Sequence, residues 1–118
     1  MDPGIDALKI TGIDTDLGLK RVGGKRERYE SLLRKFADKQ AGTVVVVRAA
    51  LAAGDLAAAE REVHSLKGAA AALGAVTLSE TASAAEESLK TRIDVDKTLQ
   101  SLASALNEVV EAIRVRLP

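Results

Sequence analysis

The sequence contains no cysteine and no tryptophan. Without thiols it forms no disulfide, has no thiolate nucleophile and offers no sulfur ligand to zinc. A single histidine, His64, is its whole supply of imidazole, so a transition-metal centre of the HExxH kind is excluded. Proline occurs only at Pro3 and Pro118, and nothing between them bars a helix. Aromatic side chains are limited to Tyr29 and Phe36, so the core must be built from aliphatic residues. Charge of one sign is also missing. Lys and Arg number 17, Asp and Glu 17, whereas a nucleic-acid partner calls for a basic surplus. The basic residues of "LKRVGGKRERYESLLRKF" are interleaved with acids and read as a solvated helix face. No apolar run approaches the roughly 20 residues of a membrane span, and "MDPGIDALK" lacks the apolar stretch of a signal sequence. A cytoplasmic location is expected.

What the chain does have is alanine and leucine, the strongest helix formers. Its 118 residues suit one domain with one core. Residues 1–12, "MDPGIDALKITG", are weakly patterned and read as a linker or loosely docked arm, with the domain proper over 13–118. A short helix is expected from about Thr15 to Val22, closed by Gly23 and Gly24. Tyr29, Leu32, Leu33 and Phe36 then share one helical face. The run Val44 to Val47 has strand propensity, but no second β segment exists to pair with it. Val44, Val47 and Leu51 keep helical spacing, which predicts a helix bent away from the preceding one near Gly42.

From Asp55 the pattern is regular. Leu56, Ala59, Val63, Leu66, Ala70 and Leu73 form one seam. Leu78, Ala82, Ala85 and Leu89 form a second, on a helix of about Val76 to Thr91. A third starts after Asp94, read as its cap, with Val95, Leu99, Leu102, Leu106, Val109 and Ile113. Together with the segment from Tyr29 to Leu51 these predict an all-α, antiparallel four-helix bundle with a short extra N-terminal helix.

On a wheel of about 100° per residue, His64 falls roughly 130° from the centre of its seam. Gly68 lies nearly opposite the seam, Ala71 also lies off the core, and Lys67 sits on the flank. A glycine inside a helix costs about 1 kcal/mol relative to alanine. On a solvent face packing gives no reason for it, so the surface beside the imidazole reads as cleared for the approach of another protein.

The stretch "HSLKGAAAALG" resembles the signature of histidine-containing phosphotransfer (HPt) domains, H-x-x-K-G with a second glycine six residues on. His64, Lys67, Gly68 and Gly74 match it, and the resemblance extends over about residues 13 to 115. Relatives often carry Ser or Asn after the motif glycine, where this chain has only alanines. The resemblance implies that His64 accepts a phosphoryl group on Nε2 from the aspartyl phosphate of a receiver domain, then passes it to another receiver. Lys67 would offset phosphate charge, Gly68 would keep access open, and Arg61 and Ala71 would belong to the docking surface. It implies no cofactor in this chain, the Mg²⁺ residing on the receiver, and a monomer. Membership of a bacterial hybrid sensor kinase is a further expectation, since the leading segment ending in "GID" resembles the approach to a C-terminal domain of such kinases.

Two acids are candidates for the Nδ1 partner of His64. Glu60 lies one turn earlier on the same helix. Glu86 lies as far beyond the turn near Ala75 as His64 lies before it, and the family often has Glu or Gln at that offset, which favours Glu86. Lys90 either flanks the site or forms an ordinary i,i+4 pair with Glu86. The competing readings are a non-catalytic adaptor or dimerisation bundle with an incidental histidine, and the phosphoacceptor hairpin of a histidine kinase. The latter calls for an acid after the histidine and a Gly-rich nucleotide motif, and neither is present.

Overall fold

The computed structural model describes residues 8–118. Among them it has six helices and no strand: α1 (Thr15–Arg21), α2 (Arg26–Gln40), α3 (Thr43–Ala52), α4 (Leu56–Ala72), α5 (Val76–Thr91) and α6 (Val95–Arg116). Helices α2 and α3 run in the same sense and form one leg of an antiparallel four-helix bundle; α4, α5 and α6 are the others, and α1 lies across one end.

The break between α2 and α3 is local. Ala41 is still helical, but Gly42 has φ −95° and ψ 7°, and Thr43 donates its hydroxyl to the Gln40 side chain at 2.5 Å, both groups buried. The valine run is helical, and its residues divide between two faces. Val44 and Val47 are buried, Val45 and Val46 exposed. At the far end of α3, Gly54 turns the chain and the Asp55 carboxylate accepts from Ala58 N–H at 3.0 Å, capping α4.

The seams meet in one core. Val63, Leu66, Leu78, Leu89, Leu99, Leu102 and Leu106 are almost wholly buried, each contributing about 1.5–3 kcal/mol of transfer free energy. Helix α4 packs on α3 and α5, while α6 packs on α5 and α2. Asp94 occupies the position before α6, but with φ +55° and no side-chain bond to the helix. The expected carboxylate cap is therefore not made, because the left-handed turn swings that side chain away from the first N–H groups.

Of the arm expected over 1–12, residues 1–7 lie outside the described residues. The rest is docked: Leu8 and Ile10 are each 4% exposed, and Thr15 donates to the Leu8 carbonyl at 2.9 Å. Helix α1 is fastened to the end of α4 by backbone contact. Asp14 N–H donates to the Gly74 carbonyl at 2.8 Å, and Gly74 has φ +86°. A Cβ on Gly18 would collide with the Leu73 carbonyl and the Tyr29 hydroxyl, so only glycine fits there. The Tyr29 hydroxyl donates to that same carbonyl at 2.6 Å. Burial, with Asp14 nearby adding to it, pushes its pKa up to about 12.

Candidate functional site

Helices α4 and α5 form a hairpin through Gly74, and this brings His64 and Glu86 level. His64 is exposed, 67% for the side chain, and its Nδ1 lies 2.7 Å from Oε2 of Glu86. Lys67, one turn on, donates from Nζ to Oε1 of the same carboxylate at 2.7 Å. Glu86 is therefore a bridge: one oxygen for the imidazole, one for the ammonium. Its side chain is 12% exposed, because Leu78, Ala82, Ala85 and Leu89 turn the neighbouring face of α5 into the core. Lys67 holds the Glu86 carboxyl below its ordinary pKa; burial opposes this, and His64 adds to the lowering. Ser79 donates to the Lys67 carbonyl at 3.3 Å, a second tie between the two helices.

The chemistry follows from that geometry. An ionised carboxylate only accepts, so Nδ1 must carry the proton it shares with Glu86. In the neutral ring Nε2 is then the basic nitrogen, with its lone pair directed away from Glu86 toward solvent. Such a nitrogen is a nucleophile near neutral pH. A bond formed at Nε2 would leave positive charge on the ring, and the carboxylate behind Nδ1 is placed to compensate it.

Of the two acids expected to hold Nδ1, Glu86 is the one in contact. Glu60 lines the open depression around His64, together with Arg61, Ser65 and Lys90. Arg61 and Lys90 are exposed. Among the described residues Lys90 makes no ion pair with Glu86, whose two oxygens are taken by His64 and Lys67. Lys67, on the flank of the seam, is bound to Glu86 at 2.7 Å.

Gly68 faces open space, with no atom within 4 Å of where a Cβ would stand. Ala71 is partly covered, because Arg21 of α1 donates to its carbonyl. The small-residue surface beyond His64 thus ends at a guanidinium. Sequence reasoning missed Arg21, and the only signal for it was the pair of glycines, Gly18 and Gly74, that let α1 approach α4. The described residues contain no group of three or more His, Cys, Asp or Glu able to hold a metal ion. None of their helices is long and apolar enough to cross a membrane.

A family model described as "Hpt domain" matches residues 31–115. The match begins inside α2 and contains the whole α4–α5 hairpin with His64, Lys67, Gly68 and Glu86. No curated protein and no solved structure matches the chain.

Proposed function

The chain belongs to the Hpt domain family, which carries phosphoryl groups on histidine in two-component phosphorelays, and from that premise we propose that His64 is its phosphoacceptor. Nε2 attacks the phosphorus of a receiver's aspartyl phosphate. The N–P bond forms as the acyl O–P bond breaks, and the receiver's carboxylate leaves. The Nδ1 proton stays on the ring, shared with Glu86. Transfer to a second receiver is the same step reversed. Phosphoryl transfer depends mainly on positioning and charge stabilisation, and in this reading the receiver holds the Mg²⁺ of the reaction. This chain contributes an oriented nucleophile on an accessible surface and acts as a monomeric partner of cytoplasmic receivers.

The observation that carries this reading is the contact between Nδ1 and Glu86 at 2.7 Å. An incidental surface histidine has no need of a nearly buried carboxylate that is itself held by a lysine. The test is labelling by phosphoramidate, a small donor, and by receiver domains charged with acetyl phosphate. The protein should take up an acid-labile, base-stable phosphate, and His64→Gln should take up none while melting at the wild-type temperature. Label on His64→Gln, or no label on the wild type from either donor, would return the chain to the adaptor reading.

A further inference from the structure

Lys67 is held at both of its ends. Its Nζ bonds Glu86 at 2.7 Å, and its carbonyl accepts from Ser79 at 3.3 Å. The open depression beside His64 has a volume of about 540 Å³, and Lys67 is not among the residues that line it. Its lining comes mainly from the other side of the ring: Ala57, Glu60 and Arg61 precede His64 on α4, and Lys90 follows Glu86 on α5. The two helices are antiparallel, so these positions lie toward the same end of the bundle, away from Lys67. A phosphoryl group on the imidazole has this space beside it.

Arg61 is the guanidinium of the depression. It stands one turn before His64 on the same helix, at the i,i+3 spacing that makes side chains neighbours. It is exposed, and among the described residues it forms no ion pair. Ala57, a turn further back, is too small to cover it. The charge balance of the lining is positive. Arg61 and Lys90 face one acid, Glu60, while the charge of Glu86 is answered by Lys67. Glu62 and Glu87, the acids next to Arg61 and Glu86 in sequence, do not line the depression.

We propose, resting on the phosphotransfer reading, that Arg61 holds the phosphoryl oxygens once the group is on Nε2, and that Lys67 acts only through Glu86. A guanidinium suits this task better than Lys90 across the depression. Its planar fork offers parallel N–H donors to two oxygens, whereas an ammonium is a point charge. The bonds made and broken are unchanged: N–P forms as the acyl O–P breaks. Arg61 neutralises part of the charge on the phosphoryl oxygens as they pass from carboxylate to imidazole. Lys67 reaches them only by giving up Glu86, which leaves a nearly buried carboxylate without its cation.

Two measurements test this. The first compares Arg61→Gln and Arg61→Lys as acceptors from phosphoramidate and from a charged receiver. Phosphoramidate has no surface to dock, so it reads the chemistry alone. Arg61→Gln should take label about three- to tenfold more slowly from both donors, the range of a charge-assisted hydrogen bond at an exposed position. Arg61→Lys should recover part of the rate. Wild-type labelling of Arg61→Gln by phosphoramidate, with only receiver transfer slowed, would make Arg61 a docking residue and overturn the assignment. The second measurement follows the wild type by NMR as phosphoramidate labels it. The Arg61 Nε–H resonance should move downfield and exchange more slowly with water, while the Lys67 ammonium stays protected by its bond to Glu86. An unmoved Arg61 resonance, or a Lys67 ammonium that changes partner, overturns the assignment whether or not Arg61→Gln folds well. If neither donor labels the wild type, the phosphotransfer reading has failed first, and the role of Arg61 falls with it.

Discussion

Nδ1 of His64 and Oε2 of Glu86 stand 2.7 Å apart across the α4–α5 interface, 22 positions apart in the chain. The hairpin that brings them level turns at Gly74, where the chain also receives α1. One carboxylate fixes the imidazole and restrains Lys67 at once. The imidazole is thus oriented by a nearly buried carboxylate whose pKa a cation lowers. Removing any one of the three changes the environment of the other two.

Glu86 links stability to pH. Its folded-state pKa lies below the ordinary 4.5, first because Lys67 bonds it. A lowered carboxyl pKa stabilises the fold above the unfolded value, and that contribution is lost as pH falls through the folded value. Between about pH 5 and about pH 3 the wild type should therefore lose more stability than Glu86→Gln. Urea midpoints across that range check it, and parallel curves would remove Glu86 from the linkage. At neutral pH the same variant should transfer phosphate more slowly, because a neutral amide cannot offset the charge that develops on the ring.

Lys67→Met separates two roles for the lysine. If Lys67 works through Glu86, the Glu86 carboxyl should titrate at higher pH in the variant, and transfer should stay slow at high salt. A lysine acting only as a mobile charge near phosphate would give a defect that salt screening removes. Carbon-detected titration of the carboxyl and transfer rates at two salt concentrations decide between them. An unmoved Glu86 titration would sink the positioning role.

The helical hairpin of the site is legible in the sequence because its cues are local. Leu78, Ala82, Ala85 and Leu89 repeat at helical spacing, and all four are buried on a helix that runs from Val76 to Thr91 as expected. The level of Glu86 with His64 follows from counting outward from one turn. Other features depend on contacts that spacing does not encode. A wheel gives the azimuth of Lys67, yet four rotatable bonds let it reach either solvent or Glu86. Leu8 and Ile10 sit in a segment without periodicity, and only docking onto the bundle buries them. Asp94 is a capping residue type, but its positive φ points the carboxylate elsewhere.

Gly18 and Gly68 should respond in opposite ways to added bulk. Gly18→Ala would place a methyl against the Leu73 carbonyl and the Tyr29 hydroxyl. Backbone cannot yield as a flexible side chain does, so stability should fall by about 1–3 kcal/mol, with α1 lifted from α4. Gly68 stands in open space, so Gly68→Ala should be neutral or stabilising, by up to about 1 kcal/mol. Gly68→Gln should keep most of that gain, since Gln is also a good helix former. Its side chain, however, lies at i+4 from His64, beside the imidazole. Across Gly, Ala and Gln at position 68 the melting temperature should hold or rise while receiver transfer falls in that order. Phosphoramidate, being small, should label all three alike. Equal receiver transfer across the series would show that Gly68 has nothing to do with access. A loss of transfer that followed a loss of stability would place Gly68 with Gly18, as a packing residue rather than an opening.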